Sequence, residues 1–103
     1  MTPKLLHKLS LLKRKYAPEG FIIVGIFGSY ARNEETAHSD IDILYRCSDK
    51  ILKKYRGWEF FSYYNKIKIA LEQELGKPVD LADQRALNKI GKKYILSELI
   101  NVS

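Results

Sequence analysis

The chain is poor in cysteine, in long apolar runs and in negative charge. Its single cysteine, Cys47, has no partner for an internal disulfide. Nothing therefore argues for an oxidising, secreted setting. No apolar run approaches the ~20 residues that cross a bilayer, and the first residues carry no secretory pattern. The expectation is a cytoplasmic protein with no membrane partner. Twelve acidic residues against eighteen basic ones leave a net charge of +6, which suits an anionic partner as well as a solvated surface. Internal repeats, low-complexity tracts and interdomain linkers are also missing. At 103 residues the chain is expected to form one domain over 1–103. That is enough for a real core and too little for a separate substrate-recognition module.

What is present alternates between helical and extended patterns. Leu5, Leu6, Leu9 and Leu12 recur at helical spacing after a capping Thr2 and a first-turn Pro3, which predicts a helix over Pro3 to Tyr16. Pro18-Glu19-Gly20 ends it. Phe21 to Phe27 is continuously apolar and β-branched, as in a strand covered on both faces. Gly25 inside it lets another backbone or a ligand come close. From Ser29 a short helix is expected to carry Ala31 and Arg32, with a polar loop from Asn33 to Ser39. Asp40 to Tyr45 alternates as a second strand. Arg46 to Gly57 reads as a polar, basic connection. Phe60, Tyr64, Ile67, Leu71 and Leu75 predict a long helix over Trp58 to Leu75, stopped by Gly76. Pro78 to Ala82 is a short third strand, Ala86 to Leu96 a helix weakened by Gly91, and Leu99 to Val102 an edge strand. The fold class is α/β (α+β): a small mixed β-sheet flanked by helices.

The chemistry gathers at two places. Gly28-Ser29 follows the first strand where a helix should begin. Unpaired N–H groups at a helix start bind phosphate, and glycine lets it approach the backbone. Serine adds a cap and a hydroxyl. An ordinary strand-to-helix turn has the same appearance. After ten intervening residues come Asp40 and Asp42. Residues two apart on a strand share a face, roughly 6.5–7 Å apart. Oxygen ligands of this kind suit Mg²⁺, which takes one or two carboxylates plus substrate phosphates. A solvated strand entrance is the bland alternative. Asp80 sits in the apolar run Val79-Asp80-Leu81, where a carboxylate is costly unless paired or bound to a cation. If the third strand lies beside the second, Asp80 completes an acidic triad, as base toward an incoming hydroxyl or as a ligand of a second metal. The alternative is a salt-bridge partner. The four residues Gly28, Ser29, Asp40 and Asp42 at this spacing arise by chance in roughly one such chain in several hundred to a thousand. A phosphate cradle beside a carboxylate pair points to Mg²⁺-dependent nucleotide transfer.

The segments Gly28-Ser29-Tyr30-Ala31-Arg32, Ser39-Asp40-Ile41-Asp42 and Val79-Asp80-Leu81 resemble the minimal nucleotidyltransferases of the DNA polymerase β-like superfamily, over nearly the whole chain. The ten-residue spacing is that of antitoxin members paired with HEPN-domain ribonuclease toxins. The resemblance implies the nucleotidyltransferase fold, with Gly28 and Ser29 on the triphosphate of ATP. It implies Asp40 and Asp42 on Mg²⁺ and Asp80 as the third catalytic acid. It also implies transfer of AMP from ATP to a tyrosine of a partner HEPN toxin. One departure is Asn33, where many relatives have glycine; asparagine tolerates a left-handed backbone, so the turn should survive. Arg32 can steady triphosphate charge or pair with Glu34 or Glu35. His38 reads as a surface histidine, Tyr63 and Tyr64 as helix packing, and Cys47 as a packing residue. Lys50, Lys53, Lys54 and Arg56 make a solvated loop or a contact for RNA, nucleotide or an acidic partner surface. Two other functions stay open: a non-catalytic antitoxin that masks its toxin by contact, and a nucleotidyltransferase acting on RNA or a small molecule.

Overall fold

The computed structural model describes residues 2–103. The first helix, α1 (Pro3–Tyr16), begins where Thr2 Oγ1 accepts the Leu5 N–H at 3.2 Å, and Lys13, Arg14 and Lys15 complement the negative end of its dipole. A short 3₁₀ turn, Ala17–Glu19, closes on Gly20 at φ +99°, and the chain enters β1 (Phe21–Phe27). Next come β2 (Ile41–Cys47), α2 (Asp49–Lys54), α3 (Trp58–Leu75), β3 (Val79–Asp83), α4 (Lys89–Glu98) and β4 (Ile100–Asn101). The strands form one sheet in the order β3-β2-β1-β4. β1 runs antiparallel to β2 and β4, and β2 runs parallel to β3, so the sheet is mixed. A parallel neighbour needs a long crossover, and α2 with α3 supplies it.

The core lies on the face covered by α1 and α3. Leu9, Leu12 and Tyr16 of α1 and Tyr63, Ile67 and Leu71 of α3 meet Phe21, Ile23, Ile41, Ile43 and Tyr45 of the sheet. Phe21 stacks on Tyr45 with ring centroids 4.8 Å apart. Each fully buried side chain such as Leu9, Ile43 or Leu71 contributes about 1.5–3 kcal/mol. Tyr63 stacks on Tyr55 and donates its hydroxyl to Glu19 at 2.8 Å, so it packs as its position predicts. Cys47 is buried, and burial pushes its thiol up to about 11, which keeps it protonated and inert. Among the described residues no helix is long and apolar enough to cross a membrane.

Four sequence expectations are corrected. No helix starts at Ser29: residues 29–33 form a single turn, closed by N–H bonds from Arg32, Asn33 and Glu34 to Gly28, Tyr30 and Ser29. Asn33 takes the left-handed backbone, φ +58°, and stops it. The basic stretch Arg46 to Gly57 is not all loop; its middle is α2, pinned by buried Ile51. The fourth helix starts later than Ala86, because Gln84–Ala86 turns as 3₁₀ and Asn88 caps α4 through the Gly91 N–H at 2.7 Å. The last strand shrinks to two residues, Ile100–Asn101.

Candidate active site

The sheet register builds the site. Asp42 faces Phe27 across β1/β2 and Asp80 across β2/β3. Neighbouring strands lie roughly 5 Å apart, so Phe27, Asp42 and Asp80 form one row at the end of three strands, and Gly28 is the next residue after Phe27. The chain turns sharply at Gly28, φ +77°, close against this row. A Cβ at Gly28 would collide with the Asp42 carboxylate. Glycine is therefore required twice there, for the backbone angle and for the space.

A fourth acid enters from the other side. β4 pairs Ile100 with Ile26, and the approach is so close that a Cβ on Gly25 would strike the Ile100 carbonyl. The expected close approach at Gly25 is thus made by the backbone of β4. This docking brings Glu98, the last residue of α4, over the Gly28 turn. Glu98 Oε1 accepts the Gly28 N–H at 2.8 Å, and Glu98 Oε2 accepts from Arg32 Nη1 at 2.9 Å. Arg32 also donates through Nε to Glu34 at 3.2 Å. Of its two expected partners it takes Glu34, and it takes Glu98 in place of Glu35.

The electrostatics follow from this crowding. Burial, then the charges of Asp80, Asp40 and Glu98, push the Asp42 carboxyl up to about 6, and Arg32 opposes them. Asp40 lies one residue before β2, exposed, and Asp80 is exposed on β3. The Arg32 hydrogen bond holds the Glu98 carboxyl below its usual range. Among the described residues no three acidic, histidine or cysteine side chains are drawn together tightly enough to hold a metal ion by themselves. Mg²⁺ does not need three; it takes one or two carboxylates and completes its shell with water and phosphate. Four carboxylates against one guanidinium form a site short of positive charge, and that fits a divalent cation arriving with a nucleotide.

Of the six residues singled out from the sequence, Asp42 and Asp80 stand in the row and Gly28 lies against Asp42. Asp40 is within electrostatic reach of it, and Arg32 lies beside it through Glu98. Ser29 opens the turn; the N–H groups of Ser29, Tyr30 and Ala31 stand outside its three hydrogen bonds. Glu98 was not legible as a site residue. Its one signal was an acid at the C-terminal end of a helix, where the dipole disfavours it unless a cation compensates. A groove of about 530 Å³ lies elsewhere, lined by Tyr16, Glu19, Tyr55, Trp58, Tyr63 and Lys66 among others, and holds none of these acids.

The family model described as polymerase beta, nucleotidyltransferase, matches residues 10–102. Two proteins of Methanocaldococcus jannaschii, each named "putative protein adenylyltransferase", are 36% and 37% identical to this chain over 97 residues. The matches cover 88% and 93% of this chain and 94% and 87% of theirs. A solved structure described as a "putative minimal nucleotidyltransferase" superposes with a TM-score of 0.67 at 29% identity, over 92% of this chain and 93% of its own. A toxin–antitoxin crystal structure with AMP-PNP shares the fold, with a TM-score of 0.70 at 21% identity, over 95% of this chain and 72% of its own.

Proposed function

The chain belongs to the polymerase beta nucleotidyltransferase family and is an enzyme of that class; from that premise we propose that it moves AMP from ATP to a hydroxyl of a partner protein. The partner we infer is a toxin of the HEPN type and the acceptor a tyrosine, so that transfer silences the toxin. Support comes from relatives named for protein adenylylation and from a structural neighbour that is a toxin–antitoxin complex. The observation that carries the catalytic reading is the pair Asp42 and Asp80, set side by side by strand register, with Gly28 close against Asp42.

Asp40 and Asp42, with Asp80 on the next strand, would hold Mg²⁺ against the nucleotide's phosphates. Bound there, the ion supplies positive charge to the phosphoryl oxygens as negative charge develops. The residues themselves position and move protons. The Gly28–Ser29 turn and Arg32 receive the triphosphate tail with amide and guanidinium donors. The acceptor oxygen then bonds to the α-phosphorus, the bond from that phosphorus to the β-bridging oxygen breaks, and pyrophosphate leaves. The hydroxyl proton passes to Asp80, which is exposed and level with Asp42. Most of the rate gain lies in orientation and charge neutralisation.

The test uses ATP labelled on the α-phosphate, offered with the protein encoded beside this chain, with RNA, or with an aminoglycoside. Label should enter the protein only. Asp40→Ala and Asp42→Ala should each remove it while leaving the circular dichroism spectrum unchanged. Undiminished labelling by either variant would reject this site, and label in RNA or the aminoglycoside would reassign the acceptor.

A further inference from the structure

Glu98 holds donors that the nucleotide needs. Its two carboxylate oxygens take the Gly28 N–H at 2.8 Å and the Arg32 guanidinium at 2.9 Å. Both groups belong to the turn proposed above to receive the triphosphate tail. A carboxylate seated on a glycine amide and an arginine has the charge, and two of the acceptor oxygens, of a phosphate group. We propose that Glu98 is a built-in competitor for the triphosphate: the turn is closed by Glu98 in the free protein, and ATP binds by displacing it. The proposal rests on the nucleotidyltransferase reading of the site.

Two features make the displacement feasible. First, Glu98 is held among like charges, with Asp42 close enough to feel its field, and its side chain is 27% exposed. Its attachment is favourable only through the turn's donors. Second, the helix that carries it is lightly anchored. No residue of α4 is fully buried, and Ile90 and Tyr94 are 72% and 74% exposed. A helix with few buried contacts opens at low free-energy cost. β4 keeps the chain beside β1 through Ile26 and Gly25, so Glu98 can swing out while its tether stays. The apparent affinity for nucleotide is then the intrinsic affinity reduced by the open fraction.

Calorimetry on the full chain in Mg²⁺ compares a non-hydrolysable ATP analogue with AMP, for the wild type, Glu98→Gln and Glu98→Ala. Glutamine keeps an oxygen for the Gly28 N–H and removes the charge that competes with phosphate. Both variants should bind the triphosphate roughly tenfold more tightly, the scale of one charged hydrogen bond released. AMP, which has no β- or γ-phosphate, should bind the same to all three. Unchanged or weaker triphosphate binding by both variants, beside normal binding by the wild type, would overturn the competitor and make Glu98 a brace for the turn. In that case Asp42→Ala would still abolish transfer, and the reading of the site would stand. Failure of every form to bind triphosphate would overturn both.

Discussion

Asp42 bears the electrostatic strain of the site. Burial and three neighbouring acids lift its carboxyl to about 6, above its ordinary 3.8. The folded chain therefore holds that proton more tightly than the unfolded one does. In metal-free buffer this destabilises the fold as pH rises from about 4 through 6, and stability returns as pH falls back. Asp42→Asn removes the charge and should raise the melting temperature at pH 8 by about 4 °C or more. The gain should vanish near pH 4, where the wild-type carboxyl is already protonated. Mg²⁺ should raise the wild-type melting temperature at pH 8 and leave the variant unmoved, because a ligand stabilises only the form that binds it. Differential scanning fluorimetry reads both effects; a variant no more stable than wild type at pH 8 would contradict them. Gly28→Ala forces a Cβ into that carboxylate at a φ of +77°. It should cost about 1 kcal/mol or more by urea denaturation and lower transfer with it. Asn33 was legible in advance, since its tolerance of a left-handed backbone is a property of the residue alone. Glu98 was not, since its role depends on where β4 docks, 70 residues from Gly28.

Among the elements, the long periodic helices and the strands β1 and β3 were readable, and the short α2 and the turn after Gly28 were not. α1 and α3 match their predicted spans because apolar side chains repeat every three or four residues and capping residues mark both α1's start and α3's end. α2 escaped because six residues with a single buried anchor, Ile51, carry no usable period. The turn after Gly28 escaped for a different reason. A helix was expected to follow a strand-Gly-Ser junction, but Asn33 ends the turn before a second can form. The site was legible to the extent that it follows from strand alternation and order: Asp42 and Asp80 fall side by side once β2 and β3 are neighbours. β4 is the element on which the remainder depends. Gly25→Val would drive a side chain into the Ile100 carbonyl and Leu99. It should detach β4 and release Glu98. The Val102 amide, which donates to the Val24 carbonyl at 3.1 Å, should then exchange with deuterium at least tenfold faster, while the Ile43 amide in the central strand keeps its protection. Equal Val102 protection in the variant would show that β4 tolerates the side chain.

At the scale of the whole molecule, one small sheet is covered on one face by α1 and α3 and contacted beside β1 by α4. The acids and the Gly28 turn lie at the end of the strands. The proposed protein acceptor would meet the chain at that end of the sheet.

Intact-mass spectrometry of that partner, purified after co-expression, is the most direct measurement. Beside the wild-type chain the partner should carry the added mass of AMP on a tyrosine, and beside the Asp40→Ala/Asp42→Ala variant it should carry none and regain its toxicity. A partner that stays unmodified yet is neutralised equally by both forms would mean that contact alone silences it and that the aspartates transfer nothing.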